Sequence, residues 1–145
     1  FRLDEGKKLE DDIQSRINKL SELLNEVLPF AKERIEKVKK SLSEKLAEIE
    51  TKNIDENRFE QEVLFYIEKT DVSEERTRLA AHCDHFDEIL ADGIGQGKKL
   101  GFIAQEIGRE INTLGSKAND AEIQRLVVKM KDELEKIKEQ VLNVL

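Results

Sequence analysis

The chain has no tryptophan, one proline, one cysteine, one tyrosine and two histidines among 145 residues. Each scarcity removes a class of protein. A lone Cys83 allows no disulfide framework and no thiolate zinc site within one chain, and it suits a reducing, cytoplasmic setting. With proline almost absent, few points along the chain are forced to break a helix. Aromatic residues make up 5% of the sequence, too few for the strand-rich, aromatic-filled core of a sandwich or barrel. No apolar run approaches the roughly 20 residues of a membrane span, and no signal peptide is visible.

What is present is charge and aliphatic side chains. Charged residues are 39% and hydrophobic residues 38%, the profile of long amphipathic helices. The apolar positions recur too regularly for a disordered chain. A net charge of −7 argues against a broadly basic nucleic-acid binder, but phosphate contacts depend on the local field and leave room for a basic patch. Beginning at Phe1 rather than Met, the chain is expected to be part of a longer protein.

Ile13, Ile17, Leu20, Leu24 and Val27 step by four and three, the stripe of an amphipathic helix. Pro29 is expected to break or kink it, and a second stripe follows at Ala31, Ile35, Val38, Leu42, Leu46 and Ile49. After the polar connection Thr51–Asp55, Phe59, Val63, Tyr66 and Ile67 mark a shorter helix. Asp71 or Ser73 is placed to accept from the first amides of the next helix, whose buried face is Leu79, Cys83, Phe86, Ile89 and Leu90. A glycine-rich loop over 92–97 precedes the stripe Leu100, Ile103, Ile107, Ile111 and Leu114, with Gly115 as the expected C-terminal stop. Asn119–Glu122 reads as a capping box. Ile123, Val127, Met130, Leu134, Ile137, Val141 and Val144 then alternate like a coiled-coil seam. The fold class is all-α: long antiparallel helices forming a coiled-coil-like arm over residues 1–55, and a compact helical head over 56–145.

Chemistry-bearing residues crowd into 105–120. Around a wheel of roughly 100° per residue, Glu106 and Glu110 share one flank beside the apolar stripe. Two carboxylates one turn apart can hold a hard divalent cation or place a general base beside a water, or they form an ordinary solvated ion pair with Arg109 and Lys99. Gln105, Arg109 and Asn112 lie on the side away from the core, a row of fixed donors suited to phosphates and base edges. Phe102 is on this polar side, where it either stacks on a base or packs under a neighbouring helix. His82 and His85 are three residues apart. His82 is either a metal ligand or proton carrier, or a hydrogen-bonded structural residue. Cys83 shares the apolar face and reads as core. Lys98 and Lys99 follow the glycine loop at a helix start, where phosphate can be received, but the spacing of a nucleotide-binding P-loop is absent.

Two segments carry a family likeness. One is Asp71-x-Ser73-Glu74-Glu75-x-x-Arg78-Leu79-x-x-His82. The other runs Gly97-Lys98-Lys99-Leu100-x-Phe102-x-x-Gln105-Glu106-x-x-Arg109-Glu110-x-Asn112-Thr113-x-x-Ser116-Lys117-x-x-Asp120. Together they closely resemble the C-terminal domain of the bacterial YicC family. The opening Phe1-Arg2-x-x-Glu5-Gly6-x-x-Leu9 and the ending Glu135-Lys136-Ile137-x-Glu139-Gln140-Val141-x-Asn143 fit the same pattern. The resemblance implies a cytoplasmic endoribonuclease dependent on a divalent metal, magnesium or manganese, that assembles as a ring-like homo-oligomer around RNA. It marks the positions of Glu106, Glu110 and His82, and the chemistry of those side chains assigns them to catalysis and metal binding. Arg78, Lys98, Lys99, Arg109 and Lys117 become phosphate contacts, beside Phe102, Gln105 and Asn112 on the RNA-facing row. Members carry a further N-terminal domain, so this region alone is expected to be inactive. The alternative is a non-catalytic RNA-binding or oligomerisation module whose chemistry lies in that other domain. Gly101 stands where the family usually has Asp, and Gly108 where it tends to have a larger polar residue.

Overall fold

The computed structural model describes residues 2–50, 56–92, 96–118 and 120–143. Among them are five helices and no strand: α1 (Arg2–Glu50), α2 (Glu56–Thr70), α3 (Ser73–Ala91), α4 (Gly97–Lys117) and α5 (Ala121–Leu142). The all-α expectation holds. The connection at 51–55, the glycines 93 and 95, Asn119 and Val144 lie outside the described residues.

α1 is one helix of 49 residues that runs through Pro29, where a break or kink was expected. Proline removes the amide that would bond the Asn25 carbonyl, but Asn25 and Pro29 are both exposed, so water can satisfy that carbonyl. Packing holds the helix on either side of the proline: Val27 is buried, and Phe30 and Ala31 pack against the core.

The core brings together the first half of α1 with α3, α4 and α5. Ile13, Ile17, Leu20, Leu24 and Val27 of α1 are buried in one cluster with Leu79 and Phe86 of α3, Ile107 and Ile111 of α4, and Met130 and Ile137 of α5. α5 packs along α1 and α4, and α3 along α4. The first half of α1 closes the bundle that the later helices form, and its second half pairs with α2. Phe59, Val63 and Ile67 border a groove there with Leu42. Polar clasps fix the register at the rim. Gln14 donates to Asp87 at 2.7 Å, and Gln140 to Asp12 at 2.8 Å.

Asp71 accepts from the Ser73 amide at 3.0 Å and from its hydroxyl at 2.6 Å, the capping role expected of this pair. Asp120 caps α5, accepting from the Glu122 and Ile123 amides. Gly115 does not end α4. The helix continues to Lys117, and its last carbonyls are taken by side chains: Gln124 donates to the carbonyls of Gly115 and Ala118, and Arg34 to that of Lys117. The glycine serves packing instead. A Cβ at Gly115 would meet Val127 Cγ1 at 3.1 Å, one at Gly108 would meet Leu134 Cδ2 at 3.2 Å, and one at Gly101 would meet Val141 Cγ1 at 3.9 Å. Glycines seven residues apart on α4 thus face branched residues seven apart on antiparallel α5, and at Gly108 and Gly115 the missing side chains let the two helices approach.

Candidate functional site

With its core stripe buried and its glycine side against α5, α4 has two faces left. One is the flank of Glu106, Glu110 and Lys117, which meets α3. The other is the outward row.

On the flank, Arg78 of α3 gathers three carboxylates. Its Nε donates to Glu110 Oε1 at 3.0 Å, Nη1 lies 3.4 Å from Glu74, and Nη2 lies 3.6 Å from Glu75. Lys117 Nζ approaches Glu75 at 2.8 Å. The carboxylates keep Arg78 more firmly protonated, the Glu110 hydrogen bond first among the causes. Glu75 is the one charged side chain buried among the described residues, 1% exposed. Burying a carboxylate is costly unless it is paired, and Lys117 and Arg78 supply the pairing. Even so, Glu75 Oε2 and Glu110 Oε2 are buried without a hydrogen-bond partner. Asp71 adds a further carboxylate near Lys117. Its carboxyl is held below the ordinary value chiefly by the Ser73 hydroxyl, against the opposing effect of burial, with the Ser73 amide, Lys117 and Arg76 helping.

Arg78–Glu110 and Glu75–Lys117 set α3 and α4 antiparallel. One turn on from Arg78, half-buried His82 is level with Glu106, one turn back from Glu110. Glu106 itself pairs with Arg109 at 3.6 Å. Among the described residues no three acidic, histidine or cysteine side chains are gathered as a metal site, so His82, Glu106 and Glu110 do not converge as a preformed three-ligand set. In this arrangement each of the two carboxylates is engaged by a guanidinium.

On the outward row Gln105, Arg109 and Asn112 are all exposed, and Phe102 is 65% exposed. No described helix covers Phe102. Lys98 and Lys99 are exposed beside it. Arg78 and Lys117, expected as phosphate contacts, are ion-paired to carboxylates of this chain. Cys83 is buried and its thiol is pushed up to about 11, chiefly by desolvation, which makes it a core residue and a poor nucleophile.

Glu75 was legible in the sequence only as an acidic first-turn residue. The signal that finds it is register: stepping the buried α3 stripe Leu90, Phe86, Cys83, Leu79 back one more turn lands on Glu75. An acid on an apolar stripe announces a buried partner.

α4 thus presents an acid–base flank against α3 and an open row of donors with an aromatic. Residues 27–145 match the family described as "Endoribonuclease YicC-like, C-terminal". The chain is 37% identical over 146 residues to a Clostridioides difficile protein named "Probable endoribonuclease YicC", covering 99% of this chain and 50% of that one. It is 34% identical over 140 residues to a Haemophilus influenzae protein of the same name, covering 97% and 48%. The chain belongs to the YicC-like family and spans about half the length of the curated relatives it matches. No helix among the described residues is long and apolar enough to cross a membrane.

Proposed function

We propose that this chain is the C-terminal helical region of a divalent-metal-dependent endoribonuclease that cleaves RNA phosphodiester bonds, with the α3–α4 flank as its reactive face. The observation that carries the reading is the pair of buried, unpartnered carboxylate oxygens of Glu75 and Glu110 around Arg78. Acceptors left unsatisfied in a buried place cost stability and are explicable where a substrate or ion completes them.

Glu106 and Glu110, one turn apart on α4, are the residues that would hold a magnesium or manganese ion, in the manner usual for hydrated cations, which are bound by one or two carboxylates together with substrate phosphates. When bound, such an ion stabilises negative charge developing on the phosphoryl oxygens. The chain's own residues supply the rest. Arg78 and Lys117 position Glu110 and Glu75 and balance their charge. His82, level with Glu106, carries a proton at the attacking or leaving oxygen. Arg109, Gln105, Asn112, Lys98 and Lys99 hold the RNA backbone across the outward row.

Self-association into a ring-like homo-oligomer is part of the proposal. Its support is the large apolar residues left exposed on α2, Leu64, Phe65 and Tyr66, surface available to a partner.

A second reading has its own observation. Glu110 paired to Arg78 and Glu106 paired to Arg109 are the contacts expected of a non-catalytic RNA-binding or assembly module. RNA cleavage by the full-length protein separates the two. Glu106→Gln and Glu110→Gln should each lower the metal-dependent rate about 100-fold or more, as loss of a general acid–base or metal-holding group does, with RNA binding retained. Undiminished rates in both variants, with and without divalent metal, would establish the module reading.

A further inference from the structure

The end of the molecule opposite the Arg78 cluster carries a second feature. Where the last turns of α3 meet the first turns of α4, His85, Ile89, Lys98, Lys99, Phe102 and Ile103 line one shallow groove. Ile103 is buried and Ile89 half-buried, so the floor is apolar. The rim is His85, Lys98 and Lys99, all exposed, and neither lysine has an ion-pair partner among the described residues. Phe102, 65% exposed, stands at the mouth.

An exposed aromatic by itself needs no explanation. Here it is combined with two unneutralised ammonium groups and an imidazole in a chain whose net charge is −7. The acids nearby on α3, Glu88 and Asp92, are exposed, and neither pairs with these lysines among the described residues. An apolar floor, an open π face and a cationic rim suit a ligand with one flat apolar surface and one anionic group at fixed separation. A nucleotide has that shape.

The geometry points to this groove as a docking subsite for one unpaired nucleotide of single-stranded RNA: the base stacks on Phe102 over Ile89 and Ile103, and its phosphate is held by Lys98 and Lys99. His85 closes the far side of the base. The inference rests on RNA being the substrate. It adds that the strand must be unpaired at this point, because the bases of a duplex offer no free face to an aromatic side chain. The subsite lies two to four helical turns along α4 from Glu110 and Lys117, so the strand would run along the outward row, past Gln105 and Arg109, between stacking and cleavage.

The absence of tryptophan supplies the test. Phe102→Trp installs the chain's only indole, at an exposed position where the fold is not disturbed. Its fluorescence is titrated with a single-stranded oligonucleotide, a duplex RNA of equal length and inorganic polyphosphate, while anisotropy of labelled RNA reports total binding. Saturable quenching by the single strand, but not by duplex or polyphosphate, is expected. Phe102→Ala should weaken single-strand binding roughly 5- to 150-fold, the range for losing one base–aromatic stack, with Phe102→Tyr restoring it. Lys98→Ala should lower the slope of log affinity against log salt by about 0.7. RNA binding without quenching would overturn the subsite and leave the RNA reading intact. Equal quenching by polyphosphate would overturn the stacked base, and no RNA binding at all would overturn both.

Discussion

The Lys117–Glu75 pair should break asymmetrically. Glu75 is 1% exposed, its Oε1 lies 2.8 Å from Lys117 Nζ, and its Oε2 has no partner. The Lys117 side chain is 33% exposed, so it can turn to water when its partner goes. Lys117→Met strands a carboxylate already short of one hydrogen bond, with only Arg78 at 3.6 Å to compensate. Removing one partner of a buried pair costs ~3–5 kcal/mol, and the residual Arg78 contact puts this case near the lower end, ~3 kcal/mol. Glu75→Gln loses the 2.8 Å ion pair with Lys117. It also removes the desolvation of the carboxylate, leaving a net loss of ~1 kcal/mol. For a chain of this size ~1 kcal/mol moves Tm by ~2–4 °C. Thermal unfolding followed by circular dichroism should therefore show drops of ~6–12 °C for Lys117→Met and ~2–4 °C for Glu75→Gln. The double variant Glu75→Leu/Lys117→Met should lie within ~1 kcal/mol of the parent, since a buried pair exchanged for apolar residues is often neutral. A Glu75→Gln loss equal to or larger than that of Lys117→Met would refute the burial reasoning.

The glycine seam predicts a graded series. Gly101→Ala should stabilise by ~0.5–1 kcal/mol, because alanine is the better helix former and its Cβ meets Val141 only at ordinary contact. Gly115→Ala should show no such gain, and Gly115→Val should lose ~1–3 kcal/mol by overpacking against Val127; urea midpoints that rank the three otherwise would dismiss the seam. Asp71 predicts a pH effect. Its folded-state pKa is depressed, the Ser73 hydroxyl first among the causes, so its contribution is complete above the unfolded value near ~3.9 and is lost as pH falls through the lower folded value. Asp71→Asn should lower stability at neutral pH and flatten the acid limb below about pH 4, read from urea midpoints against pH; an unchanged acid limb would contradict it.

Periodicity alone determined that this chain is helical and which stripes are apolar. Ile13 through Val27, Leu100 through Leu114 and Ile123 through Val141 are buried as their spacing requires, because a 3.6-residue repeat puts them on one face whatever they pack against. The capping carboxylates of Asp71 and Asp120 were also legible, since a cap acts within three residues of itself. Local reading fails where a residue's meaning depends on a distant partner. Pro29 did not stop α1 because packing on both sides of it outweighs one lost hydrogen bond. Gly115 reads as a helix stop until Gln124 and Arg34 are seen taking the last carbonyls. In the sequence Arg78 and Lys117 read as phosphate contacts, and Glu110 as a metal or acid–base group. Only the antiparallel docking of α3 on α4 joins them around buried Glu75, leaves Lys98, Lys99 and Phe102 open at the other end, and so divides one charged helix into a held flank and an available one.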